Sequence, residues 1–141
     1  MDRKDFLSSI GLSAAALLVG GCLGGCEKED APNPASVDFT IDLSQSEFAS
    51  LRNIGGSVYK NNIIIAKNNN GTIVAFTQFC NHEGAVLNYV NSTNPFYFRC
   101  PRHGATFEQN GNGTYTSPGV SSLYQYTVTQ DTNNSNLFRI H

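Results

Sequence analysis

The sequence predicts an all-β domain, an antiparallel β-sandwich or barrel. Three observations carry this prediction. Apolar residues alternate strictly in "VDFTIDLS" (37–44), two apolar runs flank Asn70-Gly71, and no long stretch shows a helical apolar period.

Each element has a local reason. In 37–44, Val37, Phe39, Ile41 and Leu43 fall on one face, as a half-buried strand with a two-residue period requires. "SEFASL" (46–51) has room for one helical turn at most. "NIIIAKNNNGTIVAFTQF" (62–79) reads as a hairpin, because Asn70-Gly71 favours the left-handed angles of a type I′ turn. "PFYFR" (95–99), "LYQYTVT" (123–129) and "NLFRI" (136–140) read as further strands, and Asn-Gly pairs at 110–111 and 112–113 mark another turn. No internal repeat is present. Residues 37–141 suffice for a modest core without disulfides.

The first 36 residues have a different character. A chain of 141 residues favours one folded domain. Residues 6–21 are small and apolar, broken by Ser and Gly, and follow Arg3 and Lys4. They are too short and weakly apolar for a membrane span of about 20 residues. Residues 1–21 therefore read as an export signal. Cys22 and Cys26 each follow an aliphatic residue and two glycines, which resembles the lipobox of bacterial lipoproteins. That resemblance implies acylation of one of them, Cys22 in preference. "DRKDFL" (2–7) resembles the twin-arginine export motif, with Lys4 in place of the second arginine. That route carries folded cargo, which suits a domain loaded with a cofactor before export. Residues 22–36, charged and then Pro/Ala/Ser-rich, read as a flexible tether. The expected location is the bacterial cell envelope, with the domain (37–141) held at the membrane by lipid.

Charge excludes one class of partner. From Val37 onward there are six acidic and six basic side chains, so the domain is neutral. No Lys/Arg cluster is available to neutralise phosphates, which argues against nucleic-acid binding.

The chemistry concentrates in two segments, "FCNHEGAVL" and "RCPRHGATF". Cys80 and His82 form a C-x-H pair, and Cys100 and His103 form a C-x-x-H pair seventeen residues further on. Each pair follows a predicted strand and leads into a glycine, Gly84 or Gly104. Several chemistries accept such residues. One disulfide would use both cysteines but leave the histidines and glycines unexplained. A tetrahedral zinc site with two Cys and two His, stabilising a non-redox binding module, is chemically allowed, although a C-x-H half-site is unusual there. A Cys–His nucleophile needs one reactive thiol and a base, not two near-symmetric half-sites. A 2Fe–2S cluster with two thiolates on one iron and two imidazoles on the other draws one Cys and one His from each loop.

The pattern resembles that of Rieske iron–sulfur domains, over about residues 37–141. "CPRHGATFEQNGNGTYTSPGVSSLYQYTV" (100–128) is similar to that family's second loop, following strand, turn, proline loop and next strand. The resemblance implies a Rieske-type sandwich or barrel with a small cluster-binding subdomain of two loops. It implies that Cys80 and Cys100 bind one iron of a 2Fe–2S cluster and His82 and His103 the other. Gly84 and Gly104 would let backbone approach the cluster and adopt angles closed to other residues. Pro101 would stiffen the second loop, and Ser117-Pro118-Gly119 would form a third loop over the cluster. Phe79 and Phe107 are expected to pack in the core nearby.

Departures from the family pattern carry information too. Quinol-oxidising respiratory members join the two loops by an extra disulfide, and here those positions hold Ala85 and Arg102. The same members place serine and tyrosine hydroxyls where this chain has Ala105 and Phe107. Fewer donors to the electron-rich form imply a low potential, toward the bottom of the range of roughly −150 to +300 mV for this class. Rieske oxygenases add a mononuclear-iron domain with two histidines and a carboxylate, and outside the two loops only His141 remains here. The implied role is electron transfer, as a carrier or the electron-transfer subunit of an exported oxidoreductase rather than a stand-alone enzyme. Its redox partner would occupy the same compartment.

Overall fold

The structure is a computed structural model, and it describes residues 36–81, 84–113 and 121–141. These residues belong to one compact unit, Ala31–His141. Its strands are β1 (Phe39–Asp42), β2 (Ser57–Lys60), β3 (Ile63–Lys67), β4 (Ile73–Thr77), β5 (Asn88–Val90), β6 (Tyr97–Arg99), β7 (Thr106–Glu108), β8 (Gln125–Tyr126), β9 (Val128–Gln130) and β10 (Leu137–Ile140). A 3-10 helix, Ser46–Arg52, lies between β1 and β2. The strands form three sheets, ordered β1-β10-β9, β2-β3-β4-β8 and β5-β6-β7, with every pairing antiparallel. This is the all-β architecture expected from the sequence.

The central sheet explains why its two middle strands read as continuous apolar runs. Ile63, Ile65, Ile73 and Ala75 pack on one side, with Ile41, Leu43, Phe48, Leu51, Tyr126 and Ile140. Ile64, Ala66, Val74 and Phe76 pack on the other, with Leu87, Phe98, Phe107 and both domain cysteines. A strand buried on both faces loses its polar alternation. Each large apolar side chain fully enclosed in these layers contributes roughly 1.5–3 kcal/mol relative to exposure. The small β5-β6-β7 sheet is inserted between β4 and β8 and builds its core against one face of the central sheet.

Several local expectations are corrected. Asn70-Gly71 does not form a type I′ turn, since of the two only Gly71 has a positive φ (81°). Instead Asn68 N–H donates to Thr72 O (2.9 Å) and Gly71 N–H to Asn68 O (3.0 Å), closing a three-residue loop with glycine in the left-handed position. The Asn68 carboxamide oxygen accepts from the N–H groups of Asn70 and Thr72, which draws the turn back by that amount. The type I′ geometry occurs one connection earlier, at Asn61-Asn62 (φ 51° and 62°), where Lys60 pairs with Ile63 across a two-residue turn. The same three-residue loop recurs at 108–112, where Glu108 N–H meets Asn112 O and Gly111 N–H meets Glu108 O, each at 2.8 Å.

The helix at Ser46–Arg52 is longer than the single turn expected. Its buried residues, Phe48 and Leu51, sit three apart, the spacing at which a 3-10 helix repeats. The segment read as one strand, 123–129, divides at Thr127. β8 pairs with β4 in the central sheet, whereas β9 pairs with β10 in the first sheet. One continuous stretch of chain thus serves two sheets.

Candidate metal centre

The two cysteines sit on loops that close in the same way. After β4, Cys80 N–H donates to Ala85 O (2.8 Å) and Gly84 N–H returns to Cys80 O (2.8 Å). After β6, Cys100 N–H donates to Ala105 O (2.8 Å) and Gly104 N–H returns to Cys100 O (3.1 Å). In both, the glycine four residues after the cysteine reverses the chain in the left-handed region, with φ of 72° at Gly84 and 74° at Gly104. A Cβ built on either glycine would meet, among the described residues and beyond its chain neighbours, no heavy atom within 4 Å. Backbone angle, and not crowding by protein, is therefore what demands glycine here.

The loops bring both sulfur-bearing side chains into one chamber. Cys80 is 2% exposed and Cys100 1%, and both pack in the cluster formed by Ile64, Phe76, Leu87, Phe98 and Phe107. Neither forms a disulfide. The aromatic wall is locked by edge-on contact of Phe76 with Phe98, whose centroids are 5.3 Å apart, and by Tyr89 tilted on Phe98 at 5.0 Å. His103 and Pro101 lie on the exposed side of the second loop. Ala105 (1% exposed) and Phe107 (fully buried) follow, placing only hydrocarbon beside the chamber. Phe107 is core, as expected, but Phe79 is half-buried and bridges Val86 across the first loop instead.

Some expected site residues lie outside the described residues, namely His82, Pro118, Gly119, Cys22 and Cys26. One site residue had no sequence signal. Asn81, immediately after Cys80, donates through Nδ2 to Ser121 O (2.6 Å), Ser121 Oγ (2.8 Å) and Ser122 O (3.3 Å), forty residues away in the chain.

Chemically, this donor set suits a soft metal group. Two thiols enclosed by hydrocarbon can ligate as thiolates once paired with a cation, and His103 is exposed three residues after Cys100. A groove of about 880 Å³ opens elsewhere, lined among others by Asn94, Phe96, Tyr97 and Gln109, and none of its lining residues belongs to either cysteine loop.

Comparison with known proteins places the fold in a family. The family model of the Rieske [2Fe-2S] domain matches residues 38–127. The menaquinol:cytochrome c reductase iron-sulfur subunit of Geobacillus thermodenitrificans is 25% identical over 100 residues, which are 70% of this chain and 55% of that protein. The cytochrome b6-f complex iron-sulfur subunit of Chlorobaculum thiosulfatiphilum is 24% identical over 127 residues, 89% of this chain and 68% of that one. The chain thus spans about half to two thirds of the length of these relatives. Among solved structures, the cyanobacterial plasma membrane Rieske protein of Synechocystis PCC 6803 superposes with a TM-score of 0.54 at 22% identity, covering 73% of this chain and 98% of that one. That likeness is one of fold.

Proposed function

The chain belongs to the Rieske [2Fe-2S] domain family, and on that premise we propose that Cys80 and Cys100 hold one iron of the cluster and His82 and His103 the other. The observation that carries the assignment is the pair of matching loops, each closed by the same two hydrogen bonds and each turning a buried thiol into one apolar chamber. When bound, the cluster supplies reversible one-electron transfer.

The chain's own residues set the terms of that transfer. The walls around the two cysteines exclude water, so thiolate charge there would be balanced by the metal they would hold and not by solvent. His103 stands on the exposed rim, which leaves the imidazole side open to a partner protein while the sulfur side stays closed. Ala105 and Phe107 offer no hydroxyl to the electron-rich state, which supports a potential low in the Rieske range.

The function is electron transfer to or from a redox partner protein, as a carrier or as the electron-transfer subunit of an exported oxidoreductase. The two curated relatives, subunits of a menaquinol:cytochrome c reductase and a cytochrome b6-f complex by name, support that class of role. The leader pattern in 1–26 supports export and acylation at Cys22 or Cys26, with 22–36 tethering the domain to the membrane of the cell envelope.

Purified full-length protein tests the centre directly. It should be reddish-brown, carry iron and acid-labile sulfide in equal amounts, and after dithionite reduction give the lowered average g value of mixed Cys/His ligation. A colourless protein holding zinc alone would overturn the reading. For the anchor, Cys22→Ser and Cys26→Ser compared by membrane fractionation should identify the acylated position, and retention of both variants together with their double variant in the membrane would refute lipidation.

A further inference from the structure

Asn81 occupies the position between the two proposed ligands of the first loop, yet its side chain binds a segment forty residues further along the chain. Its carboxamide nitrogen reaches both the carbonyl (2.6 Å) and the hydroxyl (2.8 Å) of Ser121, with the Ser122 carbonyl at 3.3 Å. The strip it grips is fixed on its other side as well. Leu123 N–H donates to Gly111 O (2.8 Å), and Ser122 Oγ to Asn112 Oδ1 (3.2 Å). Gly111 and Asn112 lie in the turn that directly follows β7, and β7 directly follows the second cysteine loop. We propose that Asn81 is a positioning residue that clasps the first cysteine loop, through Ser121 and Ser122, to the turn behind the second, and so fixes the spacing of the two loops and with it the cluster's potential and retention. The tuning half of this inference rests on the ligand assignment above.

The topology shows what the clasp adds. The bonds within each loop fix that loop's shape and say nothing of its distance from the other. The first loop leads from β4 into β5, and β5 pairs with β6, which enters the second loop. The ladder that pairs Asn88 with Arg99 and Val90 with Tyr97 therefore already joins the loops on one side. Asn81 lies on the exposed side of the first loop, before that ladder begins. There its carboxamide, with two N–H donors at one nitrogen, supplies a second, directional tie through Ser121 and Ser122. Two of its three acceptors are backbone carbonyls, so the grip depends on Asn81 far more than on the identity of Ser121.

The test replaces Asn81 in the full-length protein and reads the clasp and its consequence separately. Asn81→Leu keeps the branching at Cγ and removes both donors, and Asn81→Ser keeps one. Hydrogen exchange by mass spectrometry should show the segment 121–124 exchanging about tenfold faster in Asn81→Leu, as the loss of roughly one net hydrogen bond implies, with Asn81→Ser between it and the parent. Exchange in β3 should be unchanged. In the same variant the midpoint potential should move, the EPR features broaden as the loops sample more than one spacing, and a chelator should strip iron about tenfold faster. Unaltered exchange at 121–124 overturns the clasp. Altered exchange with an unmoved potential and unmoved EPR line widths overturns its tuning role and leaves a bond of purely structural effect. A parent protein without the mixed-ligand signal overturns the ligand assignment and the tuning role with it, while the exchange result still decides the clasp. Should Asn81→Leu fail to fold, Asn81→Ser carries the same readouts in the same directions.

Discussion

On the proposed ligand set, two buried positions lie where they would act on the reduced centre, and introducing hydroxyls there should raise its potential. Ala105 is 1% exposed and Phe107 fully buried, both in the chamber that holds Cys80 and Cys100. A hydroxyl introduced at either position is shut off from water, so its acceptor must lie inside the core, either a ligand sulfur or a backbone carbonyl. A hydrogen bond to a charged group contributes about 1.5–3 kcal/mol, and a one-electron couple moves about 59 mV per tenfold. Ala105→Ser and Phe107→Tyr should therefore each raise the midpoint by about 60–130 mV when the hydroxyl bonds to the reduced form. An unsatisfied buried hydroxyl would instead cost about 1–3 kcal/mol of stability and leave the potential alone, so thermal unfolding must accompany the voltammetry. Protein-film voltammetry at fixed pH on cluster-loaded parent and variants is the assay. Shifts below about 20 mV in both folded variants, or a parent midpoint already above about +150 mV, would refute the reasoning.

Three other outcomes follow from particular contacts. Gly111→Ala combines a positive φ of 83° with a Cβ 2.5 Å from Phe76 Cε1, so urea denaturation should show a loss of about 2–5 kcal/mol. Gly104→Ala, with φ 74° but open space around the Cβ, should lose only about 1–2 kcal/mol; equal losses would show that the Phe76 contact yields freely. Burial pushes the Tyr89 phenol from 10.0 up to about 12, and a raised folded value means that its stabilisation is complete below pH 10.0 and lost as pH rises toward 12. Denaturation midpoints measured across that window should fall, and the fall should be smaller in Tyr89→Phe; identical pH profiles would exclude Tyr89 as the cause. Cys80→Ser and Cys100→Ser should each abolish visible absorbance while the far-UV spectrum of the strands persists, and retained colour in either would remove that residue from the ligand set.

What the sequence disclosed depended on the range of the interaction. The β1 alternation is legible because one face meets solvent, whereas the runs of β3 and β4 hide that they serve two cores at once. Asn70-Gly71 carries the sequence signature of a type I′ turn, yet the Asn68 side chain bonds its own backbone and lengthens that turn, leaving Asn61-Asn62 to make the tight one. β2 is four residues long with Tyr59 47% exposed, too short and too mixed to stand out. The helix at Ser46–Arg52 repeats every three residues and so escapes a search at 3.6. The candidate ligands stand out for the opposite reason, since Cys and His at C-x-H and C-x-x-H spacing form a local pattern within each loop, and Cys80, Cys100 and His103 lie on those loops, with His82 outside the described residues. Asn81 does not, because its partners are set by the fold forty residues away.

The central sheet explains how the same domain can be both firm and tunable. Ile64, Ala66, Val74 and Phe76 form the floor on which the thiol chamber rests, while their neighbours in the same strands belong to the opposite core. Phe76 is the common member of several contacts: it meets Phe98 edge-on, leaves no room for a side chain at Gly111, and underlies the chamber of the two cysteines. Disturbing it must move the floor, the turn and the wall together, so changes there are read as stability. Ala105 and Asn81 differ, because one is a small side chain beside the cysteines and the other holds a loop, and neither carries a sheet, whereas Phe107 pairs with Phe98 in the β6–β7 ladder and belongs to both groups. Substitutions at Ala105 and Asn81 should therefore shift potential more than stability, and those at Phe76 and Gly111 the reverse. A set of variants in which potential and unfolding free energy moved in strict proportion would mean that the centre has no tuning elements separate from its scaffold.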